Sequence, residues 1–188
     1  NTQFHVIIET NLGLEKAHDI AASSSRIQSL FFGAVDMSAE LRCINSWDNL
    51  LYARSKVVHA AASQQLDIID VPFLDLDSLK KMQEEAINAK NLGFTGKGAI
   101  HPKQIPLANE VMSPPEAEVD RARRVLEALE EAAKAGKGAA QLDGKMIDIA
   151  SERMARNVIA QADQRLLVSQ PLHWNPCEIQ SCCLDQGS

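Results

Sequence analysis

Four times before residue 113 the chain repeats one pattern, a short apolar run rich in β-branched residues followed by a helical stretch. "FHVII" at 4–8 leads into "GLEKAHDIAAS", and "SLFFGAV" at 29–35 precedes "WDNLLYARSKVVHAAASQQ", in which Leu50, Leu51, Val57, Val58 and Ala61 recur at helical spacing. "LDIIDVPFL" at 66–74 is trailed by "DSLKKMQEEAINAKNLG", with Gly93 as its C-cap, and "GAIHP" at 98–102 is a strand end before "KQIPLANEVM". Four successive β-α units predict an α/β fold of parallel strands flanked by helices, because strand-to-parallel-strand connections need a crossover that a helix supplies.

The text changes after residue 112. "SPPEAEVDRARRVLEALEEAAKAG" predicts a long helix with Ser113 as N-cap, prolines in the first turn, acids toward the N-terminal end and Gly136 at its close. A Gly-rich connection, "GKGAAQLDGK", leads to a last amphipathic helix, "MIDIASERMARNVIAQADQ". From about residue 166 the chain has two prolines, three cysteines and no sustained period, and reads as a poorly ordered tail. The expected organisation is strands and helices over 1–112, a helical extension over 113–165 and a divergent tail over 166–188.

Composition narrows the partners. A net charge of -6 without a long Lys/Arg block argues against a nucleic-acid backbone or an anionic membrane as the main partner. No apolar run reaches the ~20 residues of a membrane span, and "NTQFHVIIET" has no basic region leading into a signal-like stretch. The chain begins as though already inside a domain. Cys43 stands alone while Cys177, Cys182 and Cys183 crowd the end, which is no disulfide framework and points to a reducing compartment, the cytoplasm or a mitochondrial matrix.

In parallel β/α folds ligands bind at the carboxyl ends of the strands. The residues closing the four strands are Glu9, Asp36, Asp70 or Asp75, and His101. Glu9 and Asp36 close neighbouring strands, where two hard oxygen donors suit Mg²⁺ with its remaining positions left to water and substrate; either acid would equally serve as a helix cap. Asp70, inside "DIIDVPFLD", fits a hydrogen-bonded structural role as well as a catalytic one. Asp75 and Asp77 fit caps of the next helix.

"GFTGKGAIHPKQI" at 93–105 superficially suggests a phosphate loop, but Gly98 follows Lys97 where Ser or Thr is needed, and the stretch precedes its strand. His101 is then either an edge residue held by hydrogen bonds or a site residue. Asp148, at the start of the last helix, is placed to cap it. His173, Cys177, Cys182 and Cys183 have no familiar zinc spacing.

Taken in order, "VIIET", "LFFGAVDMSAEL", "LLYARSKVV", "IIDVPFLD", "GFTGKGAIHPKQI" and "LDGKMID" resemble the second half of the citrate lyase beta subunit-like family, the acyl-CoA branch of the HpcH/HpaI aldolase superfamily. The resemblance covers roughly residues 4 to 162. It implies a TIM (β/α)8-barrel, of which this chain carries strands five to eight plus the C-terminal helices. It also implies a divalent metal, Mg²⁺ with Mn²⁺ as a substitute, held by Glu9 and Asp36. Gly33 and Ala34 would seat the substrate through backbone groups, Ile100 and His101 would line it, and Asp148 would reach a neighbouring subunit's active site as acid/base.

The implied chemistry is reversible Claisen-type cleavage of a malyl-, citramalyl- or citryl-CoA, in a homo-oligomer such as a trimer or hexamer. Thioester hydrolysis and a non-catalytic half-barrel that binds CoA-like ligands or a partner chain are the alternatives. Two departures stand out. The chain reads "GAVD" where the family commonly has "GAED", so Val35 replaces an acid or small residue beside Asp36. The family's first four strands, with their arginines and "DLED"-type motif, have no counterpart, so the chain is expected to be a truncated half and inactive by itself.

Overall fold

The computed structural model describes residues 2–168. They form two compact units that divide between Met112 and Ser113.

The first unit carries β1 (Phe4–Ile8), α1 (Asn11–Glu15), α2 (Ala17–Ala22), β2 (Ile27–Phe32), α3 (Ala34–Leu41), α4 (Trp47–Ser63), β3 (Asp67–Asp70), α5 (Leu79–Leu92), β4 (Gly96–Lys97), a 3-10 turn (Pro102–Gln104) and α6 (Ile105–Met112). The strands make one parallel sheet in chain order, β1-β2-β3-β4. Alternation along each strand sorts the side chains. Ile8, Leu30, Phe32 and Ile68 are buried in one cluster with Leu50, Ala53, Val57, Ala60 and Ala61 of α4. Those α4 positions recur every three or four residues, one face of a helix laid on the sheet. Ile7, of opposite parity to Ile8, is 54% exposed.

Local chemistry places the helix ends. The Thr10 hydroxyl accepts the N–H of Gly13 to start α1, and the Ser46 hydroxyl accepts that of Asn49 to start α4. Gly93, at φ +111°, closes α5 in the left-handed conformation that glycine takes without a Cβ penalty.

Several boundaries differ from the sequence reading. β2 stops at Phe32 rather than Val35, because the backbone turns at Gly33 and α3 begins at Ala34, whose burial with Met37 one turn on hides a helix inside an apolar run. β3 stops at Asp70, and Pro72 has no N–H with which to continue a ladder. β4 is "GK", not "GAIHP": Gly96 pairs with Ile69 and Lys97 with Asp70, and the N–H of Gly98 donates to the Asp70 carbonyl at 2.9 Å before the chain leaves the sheet. "GAIHP" therefore follows its strand.

The second unit holds α7 (Glu116–Lys134), β5 (Ala140–Leu142), β6 (Lys145–Ile147) and α8 (Ile149–Val168). Ala122, Val125, Ile147 and Ala155 form its core, with Leu126, Leu129, Val158 and Ile159 against them. The N-cap of α7 is Pro115, not Ser113, since Pro115 disfavours helical backbone at Pro114, the residue that would have to open the helix after a Ser113 cap. The Gly-rich connection contains a hairpin: β5 and β6 are antiparallel, joined by Asp143 and Gly144 at φ 50° and 75°, the positive values that a two-residue turn matching strand twist requires. No helix among the described residues is long and apolar enough to cross a membrane.

Candidate active site

Glu9 leaves the end of β1 half-buried, and Asp36 sits exposed in the first turn of α3, just after β2. Ile8 and Phe32 are paired across the sheet, so Glu9 and Gly33 are the next residues on adjacent strands. A Cβ at Gly33 would fall 2.9 Å from Glu9 Oε2 and closer still to the Glu9 side-chain stem. Glycine thus leaves the room in which the Glu9 carboxylate lies over the mouth of β2. Neither the Glu9 nor the Asp36 carboxylate has a hydrogen-bond or ion-pair partner among the described residues.

Two unpaired carboxylates at adjacent strand ends fit a small hard cation that keeps water and ligand oxygens in its other positions. Among the described residues no group of three or more His, Cys, Asp or Glu side chains could hold a metal. Glu40, one turn beyond Asp36 on α3, accepts the backbone N–H of Asn11, two residues past Glu9. Val35, beside Asp36, is exposed.

On the other side of the sheet, Ile100 and His101 lie in the segment after β4. Ile100 is 55% exposed, and the Nδ1 atom of His101 accepts the N–H of Lys103 at 3.1 Å, which makes His101 the cap of the 3-10 turn. Gly98 lets this segment pass close to its neighbours, since a Cβ there would meet Phe31 Cζ and Pro72 Cγ at 2.9 Å. Gln104 joins the segment to the one after β3: its Oε1 accepts the N–H of Ile100 and its Nε2 donates to the Phe73 carbonyl.

Asp70 does not point to this rim. It is fully buried against the helix layer, accepting from Arg54 Nε at 3.0 Å and Lys97 Nζ at 2.6 Å, while Lys97 also reaches Glu85 at 2.5 Å. The Arg54 guanidinium lies between the rings of Phe32 and Trp47, 5.0 and 4.6 Å from their centroids. Of the two roles open to Asp70, the structural one holds. Lys97 is engaged in the same cluster through Asp70 and Glu85. Asp75 does not cap α5, whose N-cap is Ser78; its carboxylate accepts the N–H of Asp77 in a tight turn.

In the second unit Asp148 does cap α8. Its Oδ1 accepts the N–H groups of Ala150 and Ser151 at 3.0 and 3.2 Å, and the Ser151 hydroxyl accepts the N–H of Asp148 in return, a reciprocal cap. His173, Cys177, Cys182 and Cys183 lie outside the described residues.

A sequence profile of the HpcH/HpaI aldolase/citrate lyase family matches residues 1–102, the whole sheet with the open carboxylate pair on it. The chain belongs to that family. Within the HpcH/HpaI family it is similar to the L-malyl-CoA/beta-methylmalyl-CoA lyase of Rhodobacter capsulatus, 34% identical over 177 residues that span 84% of this chain and 56% of the relative. It is also similar to the citrate lyase subunit beta of Escherichia coli K12, 39% identical over 158 residues that span 83% of this chain and 52% of the relative. The chain spans about half the length of the curated relatives it matches.

Among solved structures, RipC from Yersinia pestis aligns with a TM-score of 0.62 at 37% identity, over 63% of this chain and 55% of RipC. The CitE protein of Mycobacterium tuberculosis, solved with magnesium, acetoacetate and coenzyme A, aligns with a TM-score of 0.71 at 28% identity, over 86% of this chain and 61% of CitE.

Proposed function

We propose that this chain is the second half of the catalytic barrel of a magnesium-dependent carbon–carbon lyase acting on a carboxylated 3-hydroxyacyl-CoA of the malyl-, citramalyl- or citryl-CoA type. In this reading β1 to β4 are strands five to eight of a TIM barrel. The observation that carries it is the pair of unpartnered carboxylates, Glu9 and Asp36, at adjacent strand ends with Gly33 leaving the space beside them open.

Glu9 and Asp36 hold Mg²⁺, or Mn²⁺ in its place. Bound there, the cation polarises the reacting hydroxyl or carbonyl oxygen and orients the substrate carboxylate. The N–H of Gly33 is spent on the Ile8 carbonyl at 3.0 Å, so Gly33 serves by its missing side chain. The N–H of Ala34, in the first turn of α3, where helix geometry leaves donors free, is the group that seats the carboxylate. Ile100 and His101 bound the substrate on the far side.

Cleavage breaks the bond between the thioester α-carbon and the hydroxyl-bearing carbon: the hydroxyl gives up its proton as its oxygen becomes the oxo group of the acid, and the thioester enolate left behind takes up a proton at the α-carbon. Asp148 from a neighbouring subunit handles that proton. All of its capping bonds use Oδ1 or its own N–H, so the cap does not occupy Oδ2. Four parallel strands cannot close an eight-strand barrel, so turnover requires the other four, with the arginines expected on them.

The test is to incubate the complete parent polypeptide with Mg²⁺ and each of the three acyl-CoAs, beside the 188-residue chain. Acetyl-CoA and an oxo acid are expected from the parent alone, falling on the order of 100-fold or more with Glu9→Ala or Asp36→Ala. No cleavage of any of the three sinks the lyase reading. Free CoA without acetyl-CoA marks a thioester hydrolase, and binding of Mg²⁺ and acetyl-CoA without turnover marks a non-catalytic half-barrel.

A further inference from the structure

Gln104 is 1% exposed, an uncommon state for a side chain with two amide donors and a carbonyl acceptor. Both ends of the amide are engaged. Oε1 accepts the N–H of Ile100 at 2.9 Å, and Nε2 donates to the Phe73 carbonyl at 2.6 Å. The N–H of Gln104 itself donates to the His101 carbonyl at 2.9 Å, which fixes the side chain's origin beneath the segment it holds.

The location gives this amide its meaning. Phe73 belongs to the segment leaving β3 and Ile100 to the segment leaving β4. The last backbone bond between the two is Gly98 N–H to the Asp70 carbonyl. Beyond it the ladder has stopped, and the Gln104 side chain bridges the two backbones where no direct bond does. Ile100 needs such a bridge, because its side chain is more than half exposed and packing alone does not hold it. A buried amide left without either partner is costly, so the Gln104 side chain is held to both bonds.

We propose that Gln104 is a positioning residue of the rim: by clamping the backbone of Ile100 to that of Phe73, it sets where Ile100 and His101 stand toward a ligand held at Glu9 and Asp36. What the ligand is rests on the lyase reading above; the clamp does not.

The experiment measures amide hydrogen exchange by NMR in the ¹⁵N-labelled 188-residue chain. Gln104→Met conserves volume and removes both bonds, so the Ile100 amide should exchange at least about 10-fold faster than in wild type. The Phe31 and Ile69 amides in the sheet should stay unchanged, which separates loss of the clamp from loss of the fold.

Gln104→Glu supplies a second, chemically specific readout. Protonated, the introduced carboxyl can still accept from Ile100 and donate to the Phe73 carbonyl. Ionised, it has no proton to give and sets a negative charge against that oxygen. The ratio of Ile100 exchange between this variant and wild type should therefore return toward one as pH is lowered, because burial favours the neutral carboxyl. A role in filling volume alone predicts a ratio that does not change with pH.

Titration with oxaloacetate and Mg²⁺ then reads the consequence at the site. Wild type should shift the Ile100 and His101 amides, and Gln104→Met should weaken the apparent affinity at least about 5-fold without abolishing Mg²⁺ binding. Ile100 exchange equally slow in wild type and Gln104→Met overturns the proposal, as does equal oxaloacetate affinity. Absence of oxaloacetate binding to the 188-residue chain is the outcome expected if the arginines of the other four strands are needed to seat it, and the exchange ratios alone then decide the clamp.

Discussion

The carboxylate of Glu40 and the backbone N–H of Asn11 are 2.6 Å apart, a bond that joins α3 to the segment leaving β1. Asp36 lies one turn before Glu40 on α3 and Glu9 lies two residues before Asn11, so this one contact ties together the two carriers of the unpaired carboxylates. An outer contact that orients the groups around a cation can matter to affinity nearly as much as a donor. Glu40→Ala should weaken Mn²⁺ binding to the chain on the order of 10-fold, read as free Mn²⁺ by electron paramagnetic resonance, while Glu40→Gln, which keeps an acceptor, should lose less. Equal affinity in all three proteins would show that the bond does not govern the site.

Gly33→Ala tests the same space from the inside. The new methyl would stand 2.9 Å from Glu9 Oε2, so either the carboxylate or the backbone must give. Overpacking of this kind costs about 1–3 kcal/mol, and the melting temperature should fall accordingly. Mn²⁺ affinity should fall with it. A variant that melts lower yet binds Mn²⁺ normally would mean that Glu9 does not need the room.

Asp70 separates stability from the site. Asp70→Ala leaves Arg54 and Lys97 buried without their shared carboxylate, a loss of about 3–5 kcal/mol by analogy with broken buried ion pairs. Arg54→Met should cost less, because Arg54 Nη1 already has no partner and the Asp70–Lys97 pair survives. Urea denaturation followed by circular dichroism checks the order of the two. The reverse order would remove Asp70 from the centre of the network.

Different substitutions can part the capping role of Asp148 from the catalytic one proposed for it. Asp148→Ala should lose about 0.5–2 kcal/mol through the α8 cap, whereas Asp148→Asn keeps the accepting oxygen and should melt near wild type. If the carboxylate also serves catalysis, Asp148→Asn in the parent enzyme should lose turnover while retaining stability. Mixing it with a Glu9→Ala parent should restore activity after subunit exchange; no restoration would place the acid in its own subunit or outside the reaction.

The α/β class and the C-cap at Gly93 were legible because they depend on periodicity and on a glycine's freedom, both local properties. α3 was not, because Gly33, Ala34 and Val35 extend an apolar run and only the turn at Gly33 separates strand from helix. The hairpin in "GKGAAQLDGK" had a readable signal in Asp143–Gly144, obscured by small residues on both sides. Glu9 was legible as an acid at the end of its strand, whereas Asp36, read in the same way, stands in the first turn of α3 beyond the end of β2 at Phe32. Glu40 and Gln104 were not legible: each acts on a backbone group about thirty residues away, 29 for Asn11 and 31 for Phe73, and no spacing rule encodes a side chain's choice of a distant amide or carbonyl. Arg54 carried a weaker sign, a charge between Leu50 and Val57 on the buried face of α4.

The four charges behind the sheet come from four different elements: Arg54 from α4, Asp70 from β3, Glu85 from α5 and Lys97 from β4. Together they sum to zero, whereas any three of them leave one net charge. A chain that docks three of them strands a charge in an apolar layer, so a sheet lacking just one of the four partners is penalised. β3 and β4 share only two residue pairs, too short a ladder to define its own alignment. Their alignment is proofread by electroneutrality.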